Sequence, residues 1–255
     1  YLVVNRANKI NAVGSPTQPI IFTIEQNVLG RATDNSSQQW GGVVLLGRAP
    51  ITDCDAGGAT PGTADCERDT EGSPDPALYG GATPTDSSGK RQYVQIRYSG
   101  FVLSANSELQ TLTTRGTGSG PALSHIMSFN SSDDAFEFFG GVVNAKYLVS
   151  VGAEDDILDT DTGVKAQIQY VLAIQREGQG DSIIEADSNN SGPVNPPPQK
   201  RVVSNGTFIQ RSTAGSNNAA MLLRGGTDYT LVNTVVHSPN RSCLRISLAD
   251  TIQQT

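Results

Sequence analysis

The sequence predicts an all-β fold, a single parallel β-helix (solenoid) with two long surface loops, and three observations carry the prediction. Short strand-like runs return at intervals of about twenty to twenty-six residues. Turn formers, 27 Gly and 13 Pro among them, are scattered between these runs, so no stretch supports a long helix. Three segments also align on one another. Ser131-Ser132-Asp133-Asp134-Ala135-Phe136-Glu137-Phe138-Phe139 falls over Ala153-Glu154-Asp155-Asp156-Ile157-Leu158-Asp159-Thr160-Asp161 at an offset of twenty-two, and Asp181-Ser182-Ile183-Ile184-Glu185-Ala186-Asp187 follows at a further twenty-six. A coil of this length cannot bury its apolar face alone, so stacked neighbours must cover it.

In chain order the predicted strands begin with Tyr1–Val4, Ile20–Ile24 and Gly42–Leu46. No Met, charged segment or apolar leader precedes the first, and the expectation is a chain whose first coils are missing. Thr52 to Lys90 is acidic and rich in Gly and Pro, too polar for a core, and reads as the first loop. Tyr93–Tyr98 and Leu109–Thr113 follow. The aligned copies Ala135–Phe139, Ile157–Asp161 and Ile183–Asp187 alternate with a second strand per coil, Lys146–Val151 and Ile168–Ile174. Residues 187–199, with three consecutive prolines at 196–198, read as the second loop. Val202–Ile209, Met221–Leu223, Tyr229–Val236 and Leu244–Leu248 close the series. The whole span 1–255 reads as one domain of about ten coils, a rod of roughly 45 Å at ~4.8 Å per strand.

Composition removes several functions. A net charge of −7 and a pI near 4.8 oppose binding to nucleic-acid phosphates, and no run approaches the roughly 20 apolar residues of a membrane helix. Cys54 and Cys66 close a short Gly/Asp-rich loop and read as a disulfide, which suits a secreted protein. Cys243, beside Leu244 and Ile246, reads as a small buried hydrophobe. His125 and His237 have no Ser or Cys elbow beside them, no His/Cys group has zinc spacing, and Gly116–Gly120 lacks the lysine of a phosphate loop.

Several stretches carry a resemblance. They are Gln39-Trp40-Gly41-Gly42 running on to Gly47-Arg48-Ala49-Pro50-Ile51, Tyr79-Gly80-Gly81, Tyr93 to Gly100, Ser131 to Gly141, Asn144-Ala145-Lys146-Tyr147 and Asp155 to Gly163. Together they resemble a family of bacterial secreted proteins, usually labelled lipoproteins or hypothetical outer-membrane proteins, common in Gram-negative bacteria rich in TonB-dependent receptors. The resemblance covers nearly the whole chain and implies a right-handed parallel β-helix at the cell surface or outside it. It implies no reaction and no catalytic residue.

Side chains alternate faces along a strand, so the aligned copies put Phe136, Phe138, Leu158, Ile184 and Ala186 in the core. The opposite face then carries Asp133, Glu137, Asp155, Asp159, Asp161, Asp181, Glu185 and Asp187. At ~4.8 Å and an effective dielectric near 20, each like-charge contact costs roughly 3 kcal/mol before screening. Relief comes from solvent and hydrogen bonds, from protonation, or from a hard cation such as Ca2+ taking oxygen ligands. These eight residues are the candidate metal ligands.

Two functions follow. One is a non-enzymatic extracellular or cell-surface β-helix that binds a glycan or envelope protein, or stacks end to end into a homo-oligomer or filament. The other is a calcium-assisted polysaccharide lyase or glycosidase on the acidic face, with Asp155/Asp156 or Asp159/Asp161 as the hydrolytic pairs. No base stands out: Lys146, Arg176, Arg211 and Arg224 lie in or next to the relevant coils, and each reads first as a surface charge partner for the ladder. Trp40, Tyr79 and Tyr98 are the aromatics offered to sugar rings, Trp40 serving equally well as a core cap.

Overall fold

The computed structural model describes residues 1–252 except 71, 73–76, 105–106, 121 and 189–199. The chain is nearly all β, with two four-residue helices, Glu25–Val28 and Ala249–Ile252, among the described residues. No helix there is long and apolar enough to cross a membrane.

Two parallel sheets form the coils. The first stacks Leu2–Val4, Val43–Leu46, Leu112–Arg115, Phe136–Phe139, Leu158–Asp161, Ile184–Ala186, Met221–Leu223 and Arg245–Ile246. The second pairs Ile10–Val13 and Ile20–Phe22 with Gly89–Arg97, and continues through Ala122–Phe129, Val142–Val151, Lys165–Ile174 and Lys200–Ile209 to Asp228–Val232 and Val235–His237. Eight strands at ~4.8 Å make the first sheet roughly 34 Å long, shorter than ten coils require; between Leu46 and Gly89 the described residues add no strand to either sheet. An antiparallel pair, Phe101–Ser104 with Ser107–Leu109, also lies outside it.

The core between the sheets is apolar, and Phe136, Phe138, Leu158, Ile184 and Ala186 all lie in it. The long second-sheet strands reveal how one strand serves two walls. In Lys165–Ile174, Ala166 and Ile168 point inward, then Val171 and Ala173, so the alternation slips by one at Tyr170. Tyr170 has a left-handed backbone, φ 61°, and so do its counterparts Tyr93, His125, Tyr147, Asn205 and Asn233. One such residue re-aims the strand while both halves keep an inward face. This conformation costs a non-glycine residue about 1–3 kcal/mol. Side-chain stacking offsets it: the rings of Tyr93, His125, Tyr147 and Tyr170 follow one another at 4.2, 4.4 and 4.8 Å, such pairs contributing ~0.5–1.5 kcal/mol each. The Asn233 carboxamide donates to Asn205 Oδ1.

The segment expected to be too polar for a core contributes to one. Ile51, Cys66, Ala77 and Tyr79 pack with Val44, Leu46 and Leu109 on the outer side of the first sheet, making a second apolar cluster. Cys54 and Cys66 are disulfide-bonded, Cα–Cα 4.9 Å, which fits an oxidising environment, and Arg68 and Tyr79 form an isolated antiparallel bridge. The Arg6–Glu67 salt bridge ties the cover to the first coil, and Arg68–Asp53 closes within the cover itself. The proline run expected as a second loop lies outside the described residues. Cys243 is exposed rather than buried, because it precedes the two-residue strand Arg245–Ile246 on the outside of the last coil.

Two glycines of equal φ, 75°, separate close approach from open space. A Cβ on Gly141 would meet the Thr117 carbonyl oxygen at 2.2 Å, whereas one on Gly178 meets nothing within 4 Å. Gly141→Ala is expected to lower the melting temperature by at least ~6 °C and Gly178→Ala by no more than ~4 °C; equal shifts in a thermal melt would refute the close packing at the Gly141 corner.

Candidate acidic site

In-register stacking turns the acidic periodicity into columns. Thr113, Glu137, Asp159, Glu185 and Leu222 form one column on the outer face of the first sheet. Arg115, Phe139 and Asp161 run beside it, with Asp187 just beyond the strand Ile184–Ala186. Asp133 and Asp155 sit at the corner leading into these strands, together with Asp134 and Asp156. The Asp156 backbone N–H donates to Asp134 Oδ1 at 2.8 Å, and the Ser182 N–H donates to Asp156 Oδ1.

Carboxylate oxygens converge in two overlapping trios, Asp133–Asp134–Asp155 and Asp134–Glu137–Asp159, each within 4.8 Å. Of the eight sequence candidates, Asp133, Glu137, Asp155 and Asp159 thus come together. Asp134, common to both trios, belongs with them; its place at the corner, before the strand, hid it from a strand-alternation argument. Glu137 is 8% exposed and its Oε2 is buried with no hydrogen-bond partner. Leaving such an acceptor unsatisfied costs about 1–3 kcal/mol.

The other four candidates lie outside the trios, although partners alone do not separate them, since Asp133 accepts from the Gln110 carboxamide at 3.2 Å and Asp159 from the Thr160 N–H at 2.5 Å. Asp181 accepts from the backbone N–H groups of Ser216 and Asn217 and from Arg241. Glu185 is paired with Arg224 and accepts from the Asn217 carboxamide, and Arg224 Nε donates to Asp187 at 2.8 Å. Asp161 accepts from the Thr162 N–H at 2.6 Å.

Two arginines that strand periodicity did not single out frame the cluster. Arg115 is 2% exposed, its guanidinium 4.0 Å from the Phe139 ring centroid and 5.7 Å from that of Tyr79, wedged between ladder and cover. Arg201 reaches the ladder from inside the coil, donating to the Thr160 carbonyl at 2.9 Å and to Thr227 Oγ1 at 3.1 Å. Burial pulls its pKa down to about 10.

The basic residues read from the sequence are placed otherwise. Lys146 stands exposed on the second sheet, away from the carboxylates. Arg176 donates to the Asp34 carbonyl and pairs with Glu154, and Arg211 pairs with Glu177 on the surface. The aromatics offered to sugars are also corrected. Tyr79 lies in the second core and Tyr98 is buried, while Trp40 packs against the main core and donates its indole N–H to the Arg97 carbonyl.

Burial, reinforced by neighbouring carboxylates, raises the pKa of Asp134, Glu137, Asp156 and Asp159 well above the ordinary range. Burial first, and Glu108 next, push half-buried Asp133 up to about 6, and Asp155 rises to about 7. Solvent screens the exposed Asp155, so the buried members dominate the balance.

Parallel coils bearing a buried carboxylate cluster on the outside of one sheet define an all-β, β-helical protein. The chain matches the family model described as Pectate-lyase like beta helix domain over residues 1–255, and it belongs to that family. No curated protein and no solved structure matches it.

The raised carboxyls fix the sign of the pH dependence when divalent ions are chelated. The folded chain keeps protons that the unfolded chain releases near pH 4, so this stability is fully present below pH 4 and lost as pH rises through the raised folded-state values, about 6 for Asp133 and about 7 for Asp155. Melting temperature in EGTA is expected to fall from pH 5 to pH 7.5, and Glu137→Gln/Asp159→Asn to flatten the fall. A rise across that interval would refute the assignment.

Proposed function

We propose that this chain is a non-enzymatic extracellular β-helix that binds a glycan or partner protein and is clamped by a calcium ion among Asp133, Asp134, Glu137, Asp155 and Asp159. Glu137, whose buried Oε2 has no hydrogen-bond partner and which belongs to the Asp134–Glu137–Asp159 trio, carries this reading. Calcium accepts six to eight oxygens in loose geometry, so three or more carboxylates with carbonyls and water suit it. Among the described residues no arginine or lysine makes an ion pair with any of the five; the Arg115 and Arg201 charges ease Glu137 and Asp159 without cancelling the rise, and a cation would relieve what remains. The disulfide-held cover supports an extracellular setting.

A calcium-assisted lyase or a glycosidase at the same face is the second reading. Carboxyls held protonated favour it, since glycoside hydrolysis needs one protonated acid. The commitment of the nearby guanidiniums supports the non-enzymatic reading instead. Arg176, Arg224 and Arg241 all engage carboxylates or carbonyls, and Arg115 is buried between two rings, so none of these four is free to remove a sugar proton.

Thermal melting at pH 7.5 in EGTA against Ca2+ tests the clamp. Calcium at about 100 times its Kd is expected to raise the melting temperature by ~5–10 °C, and Asp155→Asn/Asp159→Asn to lose most of that gain. An unchanged melting temperature would remove the cation from the account.

A further inference from the structure

The segment that covers the first sheet also roofs a cavity at the corner where the coil turns toward the second. The cavity holds about 310 Å3, bounded by Pro50, Pro61 and Pro84 from the cover and by Val142 and Lys165, each the first residue of its second-sheet strand. That volume lies at the small end of ligand pockets, which run roughly 300–1,000 Å3. None of the carboxylates of the two trios lines it.

Backbone hydrogen bonds hold its walls. The Gly141 N–H donates to the Pro50 carbonyl at 2.7 Å, the Thr52 N–H to the Thr162 carbonyl at 3.2 Å, and the Gly62 N–H to the Ile51 carbonyl at 2.9 Å. On the far limb the Ser119 N–H donates to the Pro84 carbonyl at 2.8 Å. Thr52 sits directly on the corner, since a Cβ on Gly163 would collide with its Cγ2. The Cys54–Cys66 disulfide closes the loop that carries Pro61 and Gly62. Proline has a locked φ and no side-chain entropy to lose, so the cavity is shaped before anything enters it. A ligand therefore meets little ordering cost.

The same bonds decide its chemistry. Those carbonyls and N–H groups satisfy one another, and the walls are chiefly hydrocarbon: three proline rings with Ile51 and Val142. Its polar side chains are the Thr52 hydroxyl and the Lys165 ammonium, with no Asp or Glu among the lining residues. Lys165 is exposed and forms no ion pair among the described residues. In the strand ladder it stands between Val142 and Lys200, and an anion at Lys165 would relieve that like-charged pair.

We propose that this cavity binds a small aromatic monocarboxylate, its ring against the proline wall and its carboxylate on the Lys165 ammonium. An apolar body is required because Thr52 is the one uncharged side chain here that can hydrogen-bond, so a sugar would leave most of its hydroxyls unpaired. One negative charge matches one lysine. A flat, rigid ring suits walls that cannot adjust, and the volume takes a ring with a short acid side chain rather than a polymer. The site goes beyond the glycan-or-partner and calcium readings and depends on neither.

Ligand-detected NMR titration of the full chain in EGTA with cinnamate, beside cinnamyl alcohol and galacturonate, tests it. Cinnamate is expected to bind saturably with a Kd at or below ~1 mM, within reach of a ligand this small. Cinnamyl alcohol, which lacks the charge, should bind at least three-fold more weakly, and galacturonate, charged but polar throughout, at least ten-fold. Lys165→Gln should weaken cinnamate at least three-fold and leave cinnamyl alcohol unchanged. Val142→Phe, which fills the cavity, should abolish binding without altering the melting temperature, and Lys146→Gln, on the same sheet outside the cavity, should change nothing. No saturable binding of cinnamate, equal binding by Lys165→Gln, an equal loss in Lys146→Gln, or galacturonate binding as tightly as cinnamate would overturn the proposal.

Discussion

In-register parallel stacking is the constraint on which the rest of this structure depends. Each side chain meets the side chain one coil away at the same position, so whatever a column contains is repeated against itself. Inside, that rule gives the apolar stack of Leu112, Phe136, Leu158 and Ile184. Outside, it places Glu137 over Asp159 over Glu185, at roughly 3 kcal/mol per contact before screening. The protein relieves the carboxyl-terminal end of the ladder with Arg224 and Arg241, and Arg201 approaches from within. Among the described residues the five carboxylates at the other end form no ion pair, and burial together with their mutual repulsion pushes their pKa values up.

The same rule explains the second sheet. A left-handed residue is tolerated in every long strand because its neighbours stack on it, Tyr on His on Tyr on Tyr and Asn on Asn. The resulting ridge borders a face of amides and lysines, while the carboxylates gather on the first sheet. Charge is thus sorted by sheet: the five long strands of the second carry no Asp or Glu, while the stacked carboxylates lie on the first.

Much of the fold was legible because solenoid repeats write their period into the residues. The twenty-two-residue offset between Ser131–Phe139 and Ala153–Asp161 is the observed register, Phe136 over Leu158 and Glu137 over Asp159. Other features were hidden for physical reasons. The slip of alternation at Tyr147 and Tyr170 is present in the sequence, but it resembles a single continuous strand unless two successive polar residues are taken as a bend. The cover from 47 to 88 is polar on average, yet Ile51, Cys66, Ala77 and Tyr79 from it pack into the second cluster; average polarity cannot reveal a core that small. Strand alternation found Glu137 and Asp159 but missed Asp134, whose corner position follows no alternation, and Arg115, whose partners come from a distant segment.

The most direct measurement of the central claim is an anomalous difference map from crystals grown with calcium and soaked in gadolinium. The account predicts one strong peak at ~2.3–2.6 Å from carboxylate oxygens of Asp134 and Glu137. A map with no peak there, or with its strongest peak at Asp181 and Arg241, would contradict it.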